Sequence, residues 1–215
     1  MDRPKAVVFD LLTALLDSWS VWNEAAESGE DGRRWRARYL ELTYGCGAYR
    51  PYETLVAEAA RDAGLPAAAP AALLARWSTL RPWPEVPGLL KALKARGILL
   101  GVATNCSIDL GRRAAACCGV SFDAVVTSEE AGYYKPRPEP YLAVLAALGV
   151  QPEDALFVAG SSADVPGAAG VGMQVVWHNR AGLAARPGPA PLREARSLDA
   201  ALAIILWPRA VPPPE

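Results

Sequence analysis

Ala6-Val7-Val8-Phe9-Asp10 is a short apolar run closed by a carboxylate. A run of that length, rich in β-branched and aromatic residues, predicts a buried strand. A carboxylate at the end of a buried strand is costly to desolvate unless it has a partner or a task. The carboxyl ends of parallel strands are also where open α/β sheets hold their ligands. Asp10 is therefore a candidate nucleophile or metal ligand, and its partners should lie at neighbouring strand ends.

Working outward, the chain stays apolar after Asp10 and then becomes helical to about residue 80. The pattern predicts helices opening at Trp19 to Asn23 and running over Arg33 to Thr43, Tyr52 to Ala63 and Ala71 to Leu80, punctuated by glycine and proline. Helices with no strand between them do not extend a parallel sheet, so this stretch reads as an insertion. After Pro82-Trp83-Pro84 the pattern alternates. Strands are expected at Ile98 to Ala103 (leading into Thr104-Asn105), Ala124 to Val126, Ala155 to Ala159 and Gln174 to Trp177. Helices are expected at Leu89 to Arg96, Leu110 to Cys118, Pro140 to Leu148 and Pro166 to Val171. This alternation predicts an α/β fold, a doubly wound parallel sheet of Rossmann-like type, with an inserted helical cap subdomain. The expected division is a core of residues 1–15 and 84–215 and a cap of residues 16–83. The proline-rich Pro208 to Glu215 reads as a loose tail.

The chain has 215 residues and a net charge of −1, which gives no global pull toward nucleic acid or anionic membranes. No apolar stretch approaches a membrane span, and Met1 to Lys5 leads straight into the first strand without room for a signal peptide. Cys46, Cys106, Cys117 and Cys118 lack metal-ligand spacing and make a poor disulfide framework, which fits a reducing cytoplasm. Composition thus calls for neither a nucleic acid nor a membrane partner.

Polar residues stand at or after four strand ends: Asp10, Thr104-Asn105, Lys135 beyond the 124–126 strand, and Asp164 beyond the 155–159 strand. An Asp, a hydroxyl, a Lys and a second Asp converging on one crevice fit covalent hydrolysis. The ordered set resembles the haloacid dehalogenase superfamily. Asp10-Leu11-Leu12-Thr13-Ala14-Leu15 is similar to its first motif and Thr104-Asn105 to its second. Lys135-Pro136 is similar to its third, and Ala159-Gly160-Ser161-Ser162-Ala163-Asp164 to its fourth. The helical insertion lies where that superfamily carries its cap.

Phosphatases of the superfamily carry a general-acid Asp two residues after the nucleophile; here that residue is Leu12. They also hold Mg²⁺ with an acidic residue at the position of Gly160. The 2-haloacid dehalogenase branch needs neither. Trp35-Arg36-Ala37-Arg38-Tyr39-Leu40-Glu41, Lys135-Pro136 with Tyr141, and Trp177-His178-Asn179-Arg180 all resemble that branch. The resemblance implies that Asp10 displaces halide from the α-carbon and forms an ester. Lys135 would keep Asp10 ionised, and Asp164 would activate water against the ester carbonyl. Arg36 would hold the substrate carboxylate and the halide. Thr104 and backbone amides near Leu11 and Asn105 would stabilise developing charge. Leu12, Tyr141 and Ser161 complete the implied substrate contacts, and the implied partner is a small anionic molecule, with no metal or cofactor. Relatives of the branch are often homodimers, although no stripe in this sequence marks an interface.

The chain departs from the branch at Ala14, where a threonine hydroxyl usually steadies the nucleophile and where Thr13, in the usual glycine position, is the candidate substitute, and at Ala159 and Ser161, where serine and asparagine are usual. These departures keep open a binding relative with an impaired site; the other rival is a phosphatase of the same superfamily, against which Leu12 and Gly160 argue. Individual residues have plain readings too. Arg36 lies among Arg33, Arg34 and Arg38, as on a solvated helix face. Thr104 has the chemistry of a helix cap. Tyr141 has that of a packing residue. Trp19, Trp22, Trp77 and Trp83 read as cap core and cap–core interface, His178 as structural, and Cys106 as a buried filler.

Overall fold

A computed structural model describes residues 3–206, and the proline-rich tail falls outside them. Six strands form one parallel sheet: β1 (Ala6–Phe9), β2 (Leu99–Thr104), β3 (Ala124–Thr127), β4 (Ala155–Ala159), β5 (Gln174–His178) and β6 (Arg193–Ala195). Their spatial order is β3-β2-β1-β4-β5-β6. The chain builds outward from β1 on one side, then returns to build on the other. The nucleophile candidate thus sits at the end of the strand where the order reverses, the place at which such sheets bind ligands. In register, Phe9 lies beside both Val102 and Val158.

The strand period of two divides the core into two layers. Val7, Phe9, Leu100, Val102, Leu156 and Val158 face one way. Ala6, Val8, Ala103, Ala155, Phe157 and Ala159 face the other. Every residue of β1 and β4 is buried, as two helix-covered faces require. Helices alternate with the strands: α5 (Val86–Ala95), α6 (Ile108–Ala116), α7 (Ser128–Ala131), α8 (Pro138–Leu148) and α9 (Asp164–Gly170). Two short helices, α10 (Leu198–Ala201) and α11 (Ala203–Leu206), follow β6.

Between β1 and α5 come four helices: α1 (Ser18–Ala25), α2 (Gly29–Gly45), α3 (Tyr52–Asp62) and α4 (Ala69–Ala75). A 3₁₀ turn (Arg76–Thr79) follows α4, where the sequence pattern predicts continuous helix. Asp17 caps α1 by accepting from the Ser20 amide at 3.1 Å, and Ser28 caps α2 by accepting from the Asp31 amide at 3.2 Å. Aromatic rings form the centre of this group: Trp22 on Trp35 at 4.7 Å, Tyr39 on Tyr52 at 5.3 Å and Tyr52 on Trp77 at 5.7 Å. The expectation that Trp22 and Trp77 are core residues holds. The strands of chain that enter and leave the insertion run side by side. The Asp17 amide donates to Arg81 O at 2.9 Å and the Trp83 amide donates to Leu15 O at 3.0 Å. Trp83 also donates its indole N–H to Thr13 O at 3.1 Å, as an interface residue would.

Candidate active site

Asp10 leaves β1 with its backbone amide still donating to Val158 O at 3.0 Å, so the strand pairing aims its carboxylate. The chain then turns tightly, and the turn hydrogen-bonds back to the carboxylate. Asp10 Oδ2 accepts from the Thr13 hydroxyl at 2.6 Å, the Thr13 amide at 3.0 Å and the Ala14 amide at 3.2 Å. Lys135 Nζ donates to Asp10 Oδ1 at 2.8 Å and lies 3.1 Å from Asp164 Oδ1. All three ionisable groups are buried. Burial alone would raise the Asp10 carboxyl, but the Lys135 cation and the Thr13 hydrogen bonds outweigh it and hold Asp10 below its ordinary range. Burial raises Asp164 and the negative charge of Asp10 raises it further; Lys135 only partly offsets this. Burial lowers Lys135, yet the two carboxylates win and leave it above its ordinary value. The site thus holds an ionised Asp10, a cationic Lys135 and a second carboxylate that takes a proton more readily.

The loop carrying Lys135 is clamped by Asn105. The Asn105 amide oxygen accepts from the Lys135 amide at 2.8 Å, while its NH₂ donates to Lys135 O at 3.0 Å. The Lys135–Pro136 peptide is cis. Tyr141 donates its hydroxyl to Asp164 Oδ1 at 2.9 Å, and Asp164 Oδ2 has no hydrogen-bond partner among the described residues.

Helix α2 brings Arg36 over this group. It is buried rather than on a solvated face. Its guanidinium carbon lies 4.0 Å from the Trp19 ring centroid, and it donates to Ser18 Oγ at 2.8 Å. Ser18 in turn donates to Leu12 O, which links the arginine to the turn after the nucleophile. Burial pulls the Arg36 guanidinium down from its ordinary value, with Tyr52 and Asp10 opposing.

These side chains surround a cavity of about 50 Å³, small enough for a molecule of few atoms. Of the residues expected from sequence, Asp10, Leu12, Arg36, Asn105, Lys135, Ser161 and Asp164 line it. Three others do not. Leu11 is fully buried and packs in the hydrophobic core. Thr104 is fully buried with its hydroxyl unpartnered among the described residues; neither cavity wall nor helix cap describes it. Tyr141 stands behind Asp164 and reaches the cavity only through that carboxylate.

Trp19 is a correction. It is not cap core but a wall of the cavity and the platform for Arg36. Tyr39, Leu40, Tyr44 and Leu183 also line the cavity without any mark in the sequence pattern, and Thr13, the candidate substitute for the usual threonine hydroxyl, lines it too. Leu183 arrives there because Asn179 accepts from the Leu183 amide at 2.7 Å and donates to Leu183 O at 2.9 Å, closing the turn. A second cavity of about 360 Å³ lies outside the first and shares Trp19, Leu40, Tyr44, Ser161 and Leu183 with it.

His178 lies away from the cavity and has a structural bond, Nδ1 to Ala14 O at 2.8 Å. Cys106 is buried filler in the core. Among the described residues, no three His, Cys, Asp or Glu side chains group so as to hold a metal ion. Gly160 leaves no room for a side chain: a Cβ there would stand 2.2 Å from Thr13 Oγ1 and 2.5 Å from Asp10 Oδ2.

The family model described as haloacid dehalogenase-like hydrolase matches residues 4–172. The chain is 32% identical over 205 residues to the haloacetate dehalogenase H-2 of Moraxella sp. (strain B), covering 86% of this chain and 89% of that protein. A phosphoglycolate phosphatase of Aquifex aeolicus is 38% identical, but over 87 residues and 40% of this chain. The crystal structure of an L-2-haloacid dehalogenase superposes with a TM-score of 0.85 at 28% identity, covering 94% of this chain and 99% of that one. The parallel sheet, the strand-end carboxylates around Lys135 and these matches agree: the chain belongs to the haloacid dehalogenase-like hydrolases.

Proposed function

We propose that this protein hydrolyses the carbon–halogen bond of short 2-haloalkanoic acids to the 2-hydroxy acid and halide, through an ester on Asp10. The observation that carries this reading is the Asp10–Lys135–Asp164 group facing Arg36 across a small cavity, with Leu12 where a phosphatase needs a proton donor. Halide is a good leaving group and needs no general acid, whereas an alkoxide leaving from phosphorus does. Asp10, kept ionised by Lys135, attacks the α-carbon; Asp164 takes the proton of the water that opens the ester. Arg36 holds the substrate carboxylate and orients the halide, its plane fixed by Trp19 and Ser18.

Asn105 and Tyr141 serve by placing Lys135 and Asp164. Residues 16–83 form a cap on the core of residues 1–15 and 84–215, with the paired segments at Leu16 and Pro82 as its hinge. The reaction proceeds without a metal, since the position at which a phosphatase would carry its acidic ligand is the crowded Gly160. Unbridged Cys46, Cys106, Cys117 and Cys118 fit residence in the cytoplasm.

The test is a panel of haloacids and phosphomonoesters scored for released anion, with and without chelator. Halide release unaffected by EDTA is expected. Phosphate release restored by Mg²⁺ would favour the phosphatase reading, and no release of either anion would favour the binding relative.

A further inference from the structure

The two oxygens of Asp10 differ in their surroundings. Oδ2 accepts three hydrogen bonds, from the Thr13 hydroxyl at 2.6 Å and from the amides of Thr13 and Ala14 at 3.0 and 3.2 Å. Gly160 closes the space beside it so tightly that even a methyl group there would sit 2.5 Å away. Oδ1 accepts from Lys135 alone, at 2.8 Å, among the described residues. An oxygen with three donors and a backbone wall is a poor nucleophile. From this we infer that Oδ1 is the attacking atom, and that Thr13 with the Ala14 amide forms an oxyanion hole for hydrolysis of the ester, Thr13 being a catalytic residue. The inference deepens the dehalogenation reading and rests on it.

The electron count makes the role specific. In the first step Oδ1 bonds to the α-carbon and the carbon–halogen bond breaks, halide leaving with the electron pair. Oδ2 is then the carbonyl oxygen of the ester. In the second step water attacks Cγ and gives its proton to Asp164, and the carbonyl electrons move onto Oδ2. Collapse returns them, breaks the Cγ–Oδ1 bond and releases the 2-hydroxy acid, which takes the proton back from Asp164; the Asp10 carboxyl left behind loses the water's second proton to solvent and is ionised again. Negative charge on Oδ2 falls during alkylation and rises to a full charge during hydrolysis. Donors on Oδ2 therefore favour the second step and slightly oppose the first. Thr13 supplies the one side-chain donor of the three, in a turn whose next residue, Ala14, has no hydroxyl.

The experiment separates the steps. Thr13→Val keeps the shape and removes the donor; Thr13→Ala is the second variant should valine unsettle the turn; Thr13→Ser restores the hydroxyl. Rapid-quench halide release on 2-chloropropionate reads alkylation, and intact-protein mass spectrometry reads the Asp10 ester. Loss of one such donor costs about 10²-fold in related holes, so the valine and alanine variants should hydrolyse the ester roughly that much more slowly. They should show a halide burst of one per site and accumulate the ester, while the serine variant approaches wild type. Equal slowing of both steps without ester accumulation, or wild-type kinetics in both variants, would overturn the inference while leaving the dehalogenase reading intact. No halide release by the wild-type protein from any haloacid would overturn that reading and this inference with it.

Discussion

At the scale of residues, the site uses burial against itself. Each of Asp10, Lys135 and Asp164 would resist ionisation alone in so dry a place, and each is rescued in a different measure by the others. The measure of rescue fits the proposed roles: the carboxylate with Lys135 and the Thr13 turn stays charged, as the proposed nucleophile must, and the carboxylate with less help is the better proton acceptor. A single turnover in ¹⁸O-water should therefore put heavy oxygen into the Asp10 carboxylate while the first product carries oxygen from the enzyme. Asp10→Asn, nearly isosteric but poorly nucleophilic, should abolish halide release and leave the folded protein intact. Heavy oxygen appearing directly in the first product would make Asp10 a general base instead. Arg36→Lys should retain charge but lose the flat group stacked on Trp19 at 4.0 Å. A KM for haloacid raised by about tenfold or more is expected, with little change in folding, because an ammonium cannot reproduce the planar fork. An unchanged KM would remove Arg36 from substrate binding.

At the scale of elements, the placement of α2 over the strand ends decides whether Arg36 can work at all. Helices α1 and α2 touch where Gly32 meets Asn23: a Cβ on Gly32 would stand 2.4 Å from Asn23 Oδ1 and 2.7 Å from Asn23 Cα. Backbone cannot yield as a side chain can. Gly32 and Arg36 are four residues apart and so share a face of α2. Gly32→Ala should push α2 away from α1, cost about 1–3 kcal/mol of stability by overpacking, and raise KM by displacing Arg36. Thermal denaturation with steady-state kinetics checks both; an unchanged melting temperature would mean that the two helices separate freely.

At the scale of the whole molecule, His178 at the end of β5 ties the far side of the sheet to the nucleophile turn. Its Nδ1 donates to Ala14 O at 2.8 Å, and its Nε2 accepts from Arg180 Nε at 3.3 Å. Both bonds suit the neutral ring, and burial lowers its pKa from the ordinary 6.5. The unfolded chain therefore binds this proton more readily than the folded one. The stability linked to His178 is complete above pH 6.5 and is lost as pH falls below that value toward the folded pKa. Melting temperatures measured from about pH 8 down to about pH 5 should decline, and His178→Asn should flatten the slope between pH 7 and the acid end. An identical slope in the variant would assign the acid loss to other groups.

The α/β class, five of the strands and the order Asp10, Thr104, Lys135, Asp164 were legible in the sequence, because each depends on local pattern: an apolar run, then a polar residue, then helical period. The four-residue α7 was missed although Thr127-Ser128-Glu129-Glu130 carries its capping box. Strand β6 was missed for a better reason. Its three residues, Arg193–Ala195, have no apolar alternation, and they become a strand only because β5 offers an edge. The walls of the cavity belong to the same class of fact. Trp19, Tyr44 and Leu183 come from separate stretches of chain, and nothing local marks any of them as neighbours. Thr104 shows the converse. Its place at a strand end is readable, but not that its hydroxyl stands outside the cavity wall without a partner among the described residues. Periodicity along a chain is a short-range property and survives in the sequence; which side chains meet across the sheet depends on how the whole chain closes.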